Sequence, residues 1–248
     1  MSASIALTDR VLPDSSAAIE VHASLEVLHE LYNYNHWIFS KIRPYIRGTV
    51  CEVGCGTGNV TQFLLNQPRV VGIDPHEGSF YGVCRRFSDH LNVSFVPYRL
   101  QQCPNADVVP ASFDTVICLN VLEHIEADVD ALRRMRRLCR AQGRVVILVP
   151  AHMSAYGEMD RSFGHYRRYN RRSLRRAFAG AGLRATDSQY MNALGYFAWL
   201  WEGRIMRRKR IELSVARRFN RIVPFLDALE RVIPPPFGQS LIMVGAPV

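Results

Sequence analysis

Two carboxylates and three glycines at fixed intervals give the sequence its first chemical signal. The run Val50-Cys51-Glu52-Val53-Gly54-Cys55-Gly56-Thr57-Gly58-Asn59 puts an apolar, strand-like segment directly before a glycine-rich turn. Glycines accept left-handed backbone and let a ligand approach the main chain, and a helix start beyond them offers unpaired N–H groups. The dinucleotide fingerprint GxGxxG would need a further glycine at position 59, where Asn59 stands. Glu52 lies two residues ahead of the first glycine, awkward beside a pyrophosphate but well placed beside an ammonium group. Asp74 ends the next apolar run, where a carboxylate can take both hydroxyls of a ribose.

Such a turn works only when rigid elements hold it. From Thr49 the chain alternates strand-like and helix-like segments, the pattern of an α/β protein with a largely parallel sheet. Strands are expected at 49–53, 70–74, 93–96, 115–119, 144–149, 185–190 and 239–244. Helices are expected at 59–66, 78–89, 127–139 and 171–181, the last closed by Gly182. Ahead of the sheet, residues 17–46 have helical spacing, with Leu25, Leu28, Leu31 and Ile38 on one side and Pro44 and Gly48 at the end. The irregular stretches 150–170 and 192–236 are where a rigid sheet usually carries specificity.

Four segments, in order, resemble the successive motifs of class I S-adenosylmethionine-dependent methyltransferases. They are Glu52-Val-Gly-Cys-Gly-Thr-Gly58, Gly72-Ile-Asp74, Phe113-Asp114-Thr-Val-Ile-Cys-Leu-Asn120-Val-Leu-Glu123-His124 and Gly143-Arg-Val-Val-Ile-Leu-Val-Pro150. The resemblance covers roughly residues 45–190 and implies a Rossmann-like α/β fold. Its seven-stranded sheet would be mostly parallel, with the last strand antiparallel and helices on both faces. Four parts follow: an N-terminal helical lid (1–48), a cofactor-binding core (49–191), a helical insertion (192–236) and a final core strand (237–248). The cofactor implied is S-adenosyl-L-methionine. Glu52 and the turn Gly54, Cys55, Gly56, Thr57 and Gly58 would hold its amino-acid end, and Asp74 with Pro75 its ribose. Leu100, Leu119 and Asn120 would line the adenine and methionine. From the aromatic run 32–37, Tyr34 would reach the cofactor carboxylate; the alternative is that this helix only packs on the sheet edge. Many relatives carry an acidic residue after the third strand, where Pro97-Tyr98-Arg99-Leu100 stands here, which leaves the adenine to the Leu100 backbone.

Methyl transfer from a sulfonium is an in-line displacement, and a base is needed only when the nucleophile arrives protonated. His124, at the carboxyl end of the fourth strand, is the first candidate; capping the next helix or bonding Glu123 are its alternatives. The polar run 151–170 adds His165 and Tyr169 as catalytic candidates and His152, Tyr156, Tyr166 and Arg168 as substrate contacts. The competing reading is a lid fixed by Asp160 paired with Arg161 or Arg168. Gly164-His-Tyr-Arg-Arg-Tyr-Asn170 with Ala181-Gly182-Leu183 resembles a branch of methyltransferases, many of them bacterial, whose substrates are not settled. Asn120-Val-Leu-Glu123-His124 also resembles the ExxEH run of some metal-dependent methyltransferases. Asn120 replaces the first carboxylate of that run, so no metal is expected.

At 248 residues and 48% hydrophobic content the chain can bury one full core. No secretory signal is legible, no apolar run is long enough to span a bilayer, and the six cysteines form no CxxC pair, so buried thiols in a cytoplasmic protein are expected. The net charge of +9 is nearly all arginine, with Lys41 and Lys209 the only lysines. The arginines cluster where outer helix faces are expected, which reads as solvated surface rather than a nucleic-acid footprint. Leu194-Gly-Tyr-Phe-Ala-Trp-Leu-Trp201, leading into Arg207-Arg-Lys-Arg210, suits a roof over an apolar pocket or a homodimer contact, with peripheral membrane adsorption as the alternative. The expected reaction is O- or C-methylation of a hydrophobic or phenolic small molecule in bacterial secondary metabolism. An RNA methyltransferase and a non-catalytic cofactor-binding scaffold are the rivals.

Overall fold

The strand segments are near-continuous apolar runs because both faces of their sheet are covered. The computed structural model describes residues 31–103, 108–208 and 212–248. Within them β1 (Thr49–Val53), β2 (Arg69–Ile73), β3 (Val93–Val96), β4 (Phe113–Leu119), β5 (Cys139–Pro150), β6 (Leu183–Met191) and β7 (Ser240–Pro247) form one sheet. Its order is β3-β2-β1-β4-β5-β7-β6. The ladders among β1–β5 are parallel, and β7 runs antiparallel to both β5 and β6.

Alternation along each strand splits the interior into two cores. Cys51, Val53, Val116, Cys118, Val145 and Ile147 face one side, and Val50, Ile117, Val146 and Leu148 the other. The first core is closed by α3 (Asp128–Leu138) and α5 (Arg171–Gly180) through Leu132, Met135, Leu138, Leu174 and Phe178. The second is closed by α1 (Tyr32–Ile42) and α7 (Leu213–Val232) through Trp37, Ile38, Ile42 and Val223. Each such side chain contributes about 1.5–3 kcal/mol by leaving water. α2 (Glu77–Arg86), the short α4 (Glu158–Ser162) and α6 (Ala193–Trp199) complete the helices of the described residues.

The expected helix at 59–66 is a single 3₁₀ turn, Thr61–Phe63. Beyond it the chain turns, with the Gln67 N–H donating to the Leu64 carbonyl at 2.9 Å, before it enters β2. Of the expected helix at 17–46, α1 lies in the described part; Leu25 and Leu28 fall outside it. Five cysteines are buried and Cys84 is half-buried; all six are free thiols. Among the described residues no helix is long and apolar enough to cross a membrane.

The 192–236 segment serves two neighbours. Its first half, α6 and a π-helical turn Leu200–Ile205, packs on the 152–168 loop, with Trp199 bonded to Asp160 and Arg204 to the Ser154 carbonyl. Gly157 is obligatory in that contact, since a Cβ there would lie 2.4 Å from the Gly203 carbonyl oxygen. The second half, α7, lies on α1, where the Asn220 side chain accepts from the Tyr34 N–H. Trp201, Ile205 and Phe225 on this segment are exposed.

Candidate functional site

The strand order reverses between β1 and β4, which opens a crevice at the carboxyl ends of the parallel strands. Glu52 lies near the end of β1, 4% exposed, and accepts a hydrogen bond from the Thr61 hydroxyl at 2.6 Å. Burial pushes its carboxyl up to about 8, the Asp74 charge adding to the shift and the Thr61 bond opposing it. Gly54, Gly56 and Gly58 all have left-handed backbone, and a Cβ on Gly54 would lie 2.2 Å from Val121 Cγ2. Asp74, just past β2, shapes the same turn: its Oδ2 accepts from the Gly56 N–H at 2.8 Å and its Oδ1 from the His76 N–H at 2.9 Å. Leu100 is buried, while Thr57, Pro75, Leu119 and Asn120 are half-buried around the crevice, Asn120 with φ 54°. Arg99 is exposed at the mouth, its N–H held by the Gln102 side chain.

A second cluster forms beyond β4 and β5. A 3₁₀ turn, Leu122–His124, follows β4, and the Tyr166 N–H donates to the Glu123 carbonyl, joining this turn to the 164–170 loop. The His124 and His165 rings meet edge to face with centroids 4.7 Å apart. One ligating atom from each of Glu123, His124 and His165 falls within 4.8 Å of the others. Burial pushes the Glu123 carboxyl up to about 8. Burial, with the His165 ring beside it, drives His124 down to about 3, against a hydrogen bond to the Phe163 carbonyl. Asp160, wholly buried, anchors the loop with four donors. Its Oδ1 accepts from Arg168 Nε (2.7 Å) and His165 Nδ1 (2.9 Å), and its Oδ2 from the Gly157 N–H (2.9 Å) and Trp199 Nε1 (3.1 Å). Burial alone would raise this carboxyl; the His165 bond and the Arg168 charge outweigh it and hold Asp160 at about 2.

The sequence matches a family model described as "Methyltransferase domain" over residues 51–145, from the glycine turn through the Asn120–His124 run. Residues 51–145 thus carry a methyltransferase domain of the class I S-adenosylmethionine-dependent type. A tRNA U34 carboxymethyltransferase from Trichodesmium erythraeum is 26% identical over 45% of this chain and 36% of its own length. A ubiquinone biosynthesis O-methyltransferase from Aeromonas salmonicida is 28% identical over 45% of this chain and 47% of its own. The chain thus spans less than half the length of these curated relatives. Among solved structures, a Haloferax volcanii methyltransferase in complex with the activator Trm112 has the same fold. Its TM-score is 0.62 at 18% identity, over 94% of either chain.

For this family the donor set at β1 and β2 fits the cofactor. A buried Glu52 beside a left-handed glycine turn offers a carboxylate to an ammonium group once it ionises, and Asp74 presents its own carboxylate beside the same turn, where a ribose would lie.

Three expected site residues stand elsewhere. The Tyr34 hydroxyl bonds the Ser240 and Asn192 side chains, at the start of β7 and the end of β6. Those lie three or more strand spacings from β1, about 14 Å, although α1 itself packs Tyr32, His36 and Phe39 on Phe63 just past the glycine turn. Tyr34 therefore does not reach the cofactor carboxylate. Tyr169 is 2% exposed and its hydroxyl donates to Asp128 at 2.9 Å, tying the loop to α3 rather than facing the crevice. Arg168 is buried under Trp199 and bonds Asp160 and the Ala151 carbonyl, which ties it to the loop, while its Nη2 has no hydrogen-bond partner.

The other expected contacts are mixed. The Tyr156 hydroxyl donates to the His165 carbonyl and so positions that residue. His152, with φ 62°, stacks on Tyr190 at 4.9 Å. Tyr166 is exposed. Sequence reasoning gave Asp160 only a structural role and missed Thr61 and Trp199; the spacing Asp160–His165–Arg168 within one polar loop was the available signal.

Proposed function

We propose that this chain transfers the methyl group of S-adenosylmethionine to an oxygen or carbon of a hydrophobic or phenolic small molecule. The observation that carries the reading is the buried Glu52 beside a left-handed glycine turn, with Asp74 on the neighbouring strand. When bound, the cofactor supplies an electrophilic methyl on a sulfonium. Glu52 and the turn hold its amino-acid end, Asp74 its ribose, and Leu100, Leu119 and Asn120 flank the rest. The acceptor lies beside the Glu123–His124–His165 cluster, whose polar side chains can hydrogen-bond a hydroxyl. Resemblance to an O-methyltransferase of ubiquinone biosynthesis supports a phenolic acceptor.

Incubation with methyl-labelled donor and a panel of phenols, carboxylates and RNA tests this; label in a phenol supports it, and label in none of the panel removes it. An RNA acceptor is the second reading, favoured by the tRNA-modifying relative. It predicts retention on RNA that falls steeply with salt. Asp74→Ala is expected to weaken binding of the demethylated cofactor by about 1–3 kcal/mol, from ribose hydroxyls left unpaired. Unchanged affinity by calorimetry would take Asp74 out of the site.

A further inference from the structure

We propose that Glu123, His124 and His165 bind a first-row transition-metal dication at the acceptor side of the crevice. Three observations carry this. The potential ligand atoms already lie within 4.8 Å of one another, against the roughly 3–3.5 Å that separates tetrahedral N and O ligands on a metal. Glu123 Oε2 is buried without a hydrogen-bond partner, a costly state that a cation relieves. Both imidazoles are also already fixed through one ring nitrogen: His165 Nδ1 donates to Asp160 at 2.9 Å, and His124 donates to the Phe163 carbonyl. Each ring is thereby left one nitrogen to offer, the arrangement of metal-bound histidines whose far N–H is held by a carboxylate or carbonyl.

Two imidazoles and one carboxylate favour zinc, cobalt or manganese over magnesium or calcium, which want oxygen. The sequence reading that found the set one carboxylate short at Asn120 did not count His165, which arrives from a loop forty residues on. A dication held here would lower the pKa of a hydroxyl bound to it, so that the acceptor's proton could pass to solvent while the histidines serve as ligands. That last role rests on the methyltransferase reading; metal binding does not.

The test is titration of the metal-free full chain with Co²⁺, read by visible absorption, and with Zn²⁺, Mn²⁺ and Mg²⁺ by calorimetry. S-adenosylhomocysteine binding is measured on the same samples. Expected are one Co²⁺ per chain with d–d bands, weak or no Mg²⁺ binding, and at least a tenfold loss of Co²⁺ affinity in Glu123→Gln and His165→Gln. X-ray absorption of the wild-type zinc complex, which needs no variant to fold, is expected to show imidazole and oxygen neighbours. Sulfur neighbours, no saturable binding, or equal binding by folded variants overturns the proposal. Cofactor binding without metal binding would sink this site and leave the methyltransferase reading standing; metal binding without cofactor binding would do the reverse.

Discussion

Glu52→Gln is expected to weaken binding of the methyl donor roughly tenfold to a hundredfold, the value of a charge-assisted hydrogen bond of about 1.5–3 kcal/mol. It is also expected to abolish a proton release. In the free protein burial holds the Glu52 carboxyl at about 8, so at pH 6.5 it is largely protonated. An ammonium arriving beside it favours the ionised form, and a proton leaves for the buffer. Calorimetry in buffers of different ionisation enthalpy should count close to one proton per cofactor at pH 6.5, fading above pH 8. The variant should release none. Identical heats in all buffers with undiminished affinity would show that Glu52 does not meet the ammonium. Stability carries the same signature. A folded pKa above the unfolded value of about 4.3 stabilises fully below pH 4, and that contribution is lost as pH rises through 8. Glu52→Gln should flatten this part of the pH profile of the free protein.

The second large effect is structural. Asp160→Asn should cost about 3–5 kcal/mol, because it leaves the wholly buried Arg168 guanidinium without its counter-charge. For a chain of this size that is a fall in Tm of roughly 10 °C. The loss should include activity, since His165, Gly157 and Trp199 all donate to the same carboxylate. Adding Arg168→Met should recover part of the stability but not the activity, since His165 stays unanchored. The Asp160 contribution should be full above about pH 4 and disappear as pH falls through about 2, where the folded-state carboxylate protonates. Thermal melts of wild type and variant across that range decide it. Equal Tm values at pH 7 would mean that the Asp160–Arg168 pair is not what holds the lid.

The arginines show how far composition can be read. Their placement on outer helix faces was legible, yet several are not simply solvated. Arg133 reaches the Gly180 carbonyl, Arg134 pairs with Asp130 and the Gln101 carbonyl, and Arg140 pairs with Asp114. Arg133 and Arg134 stitch α3 to Gly180 and Gln101 and Arg140 ties β5 to β4, contacts that, unlike the i,i+4 pair Asp130–Arg134, leave no trace in local spacing.

Local order along the chain was enough to determine the sheet, its strand positions within a few residues, the reversed last strand, and the carboxylate–glycine–carboxylate signature at β1 and β2. The strand positions and the glycine turn follow from apolar periodicity and from backbone conformations that only certain residues adopt, and the reversed last strand from the family resemblance. Tertiary structure alone decided which polar residues meet. It carried Tyr34 away to Ser240, buried Tyr169 and Arg168, and brought His165 onto His124 and Glu123. The reason is physical: a hydrogen bond or a shared ligand is set by distance in space. A loop such as 151–170 has no periodicity of its own, and it takes its shape from one buried carboxylate and from the Trp199 helix packed against it.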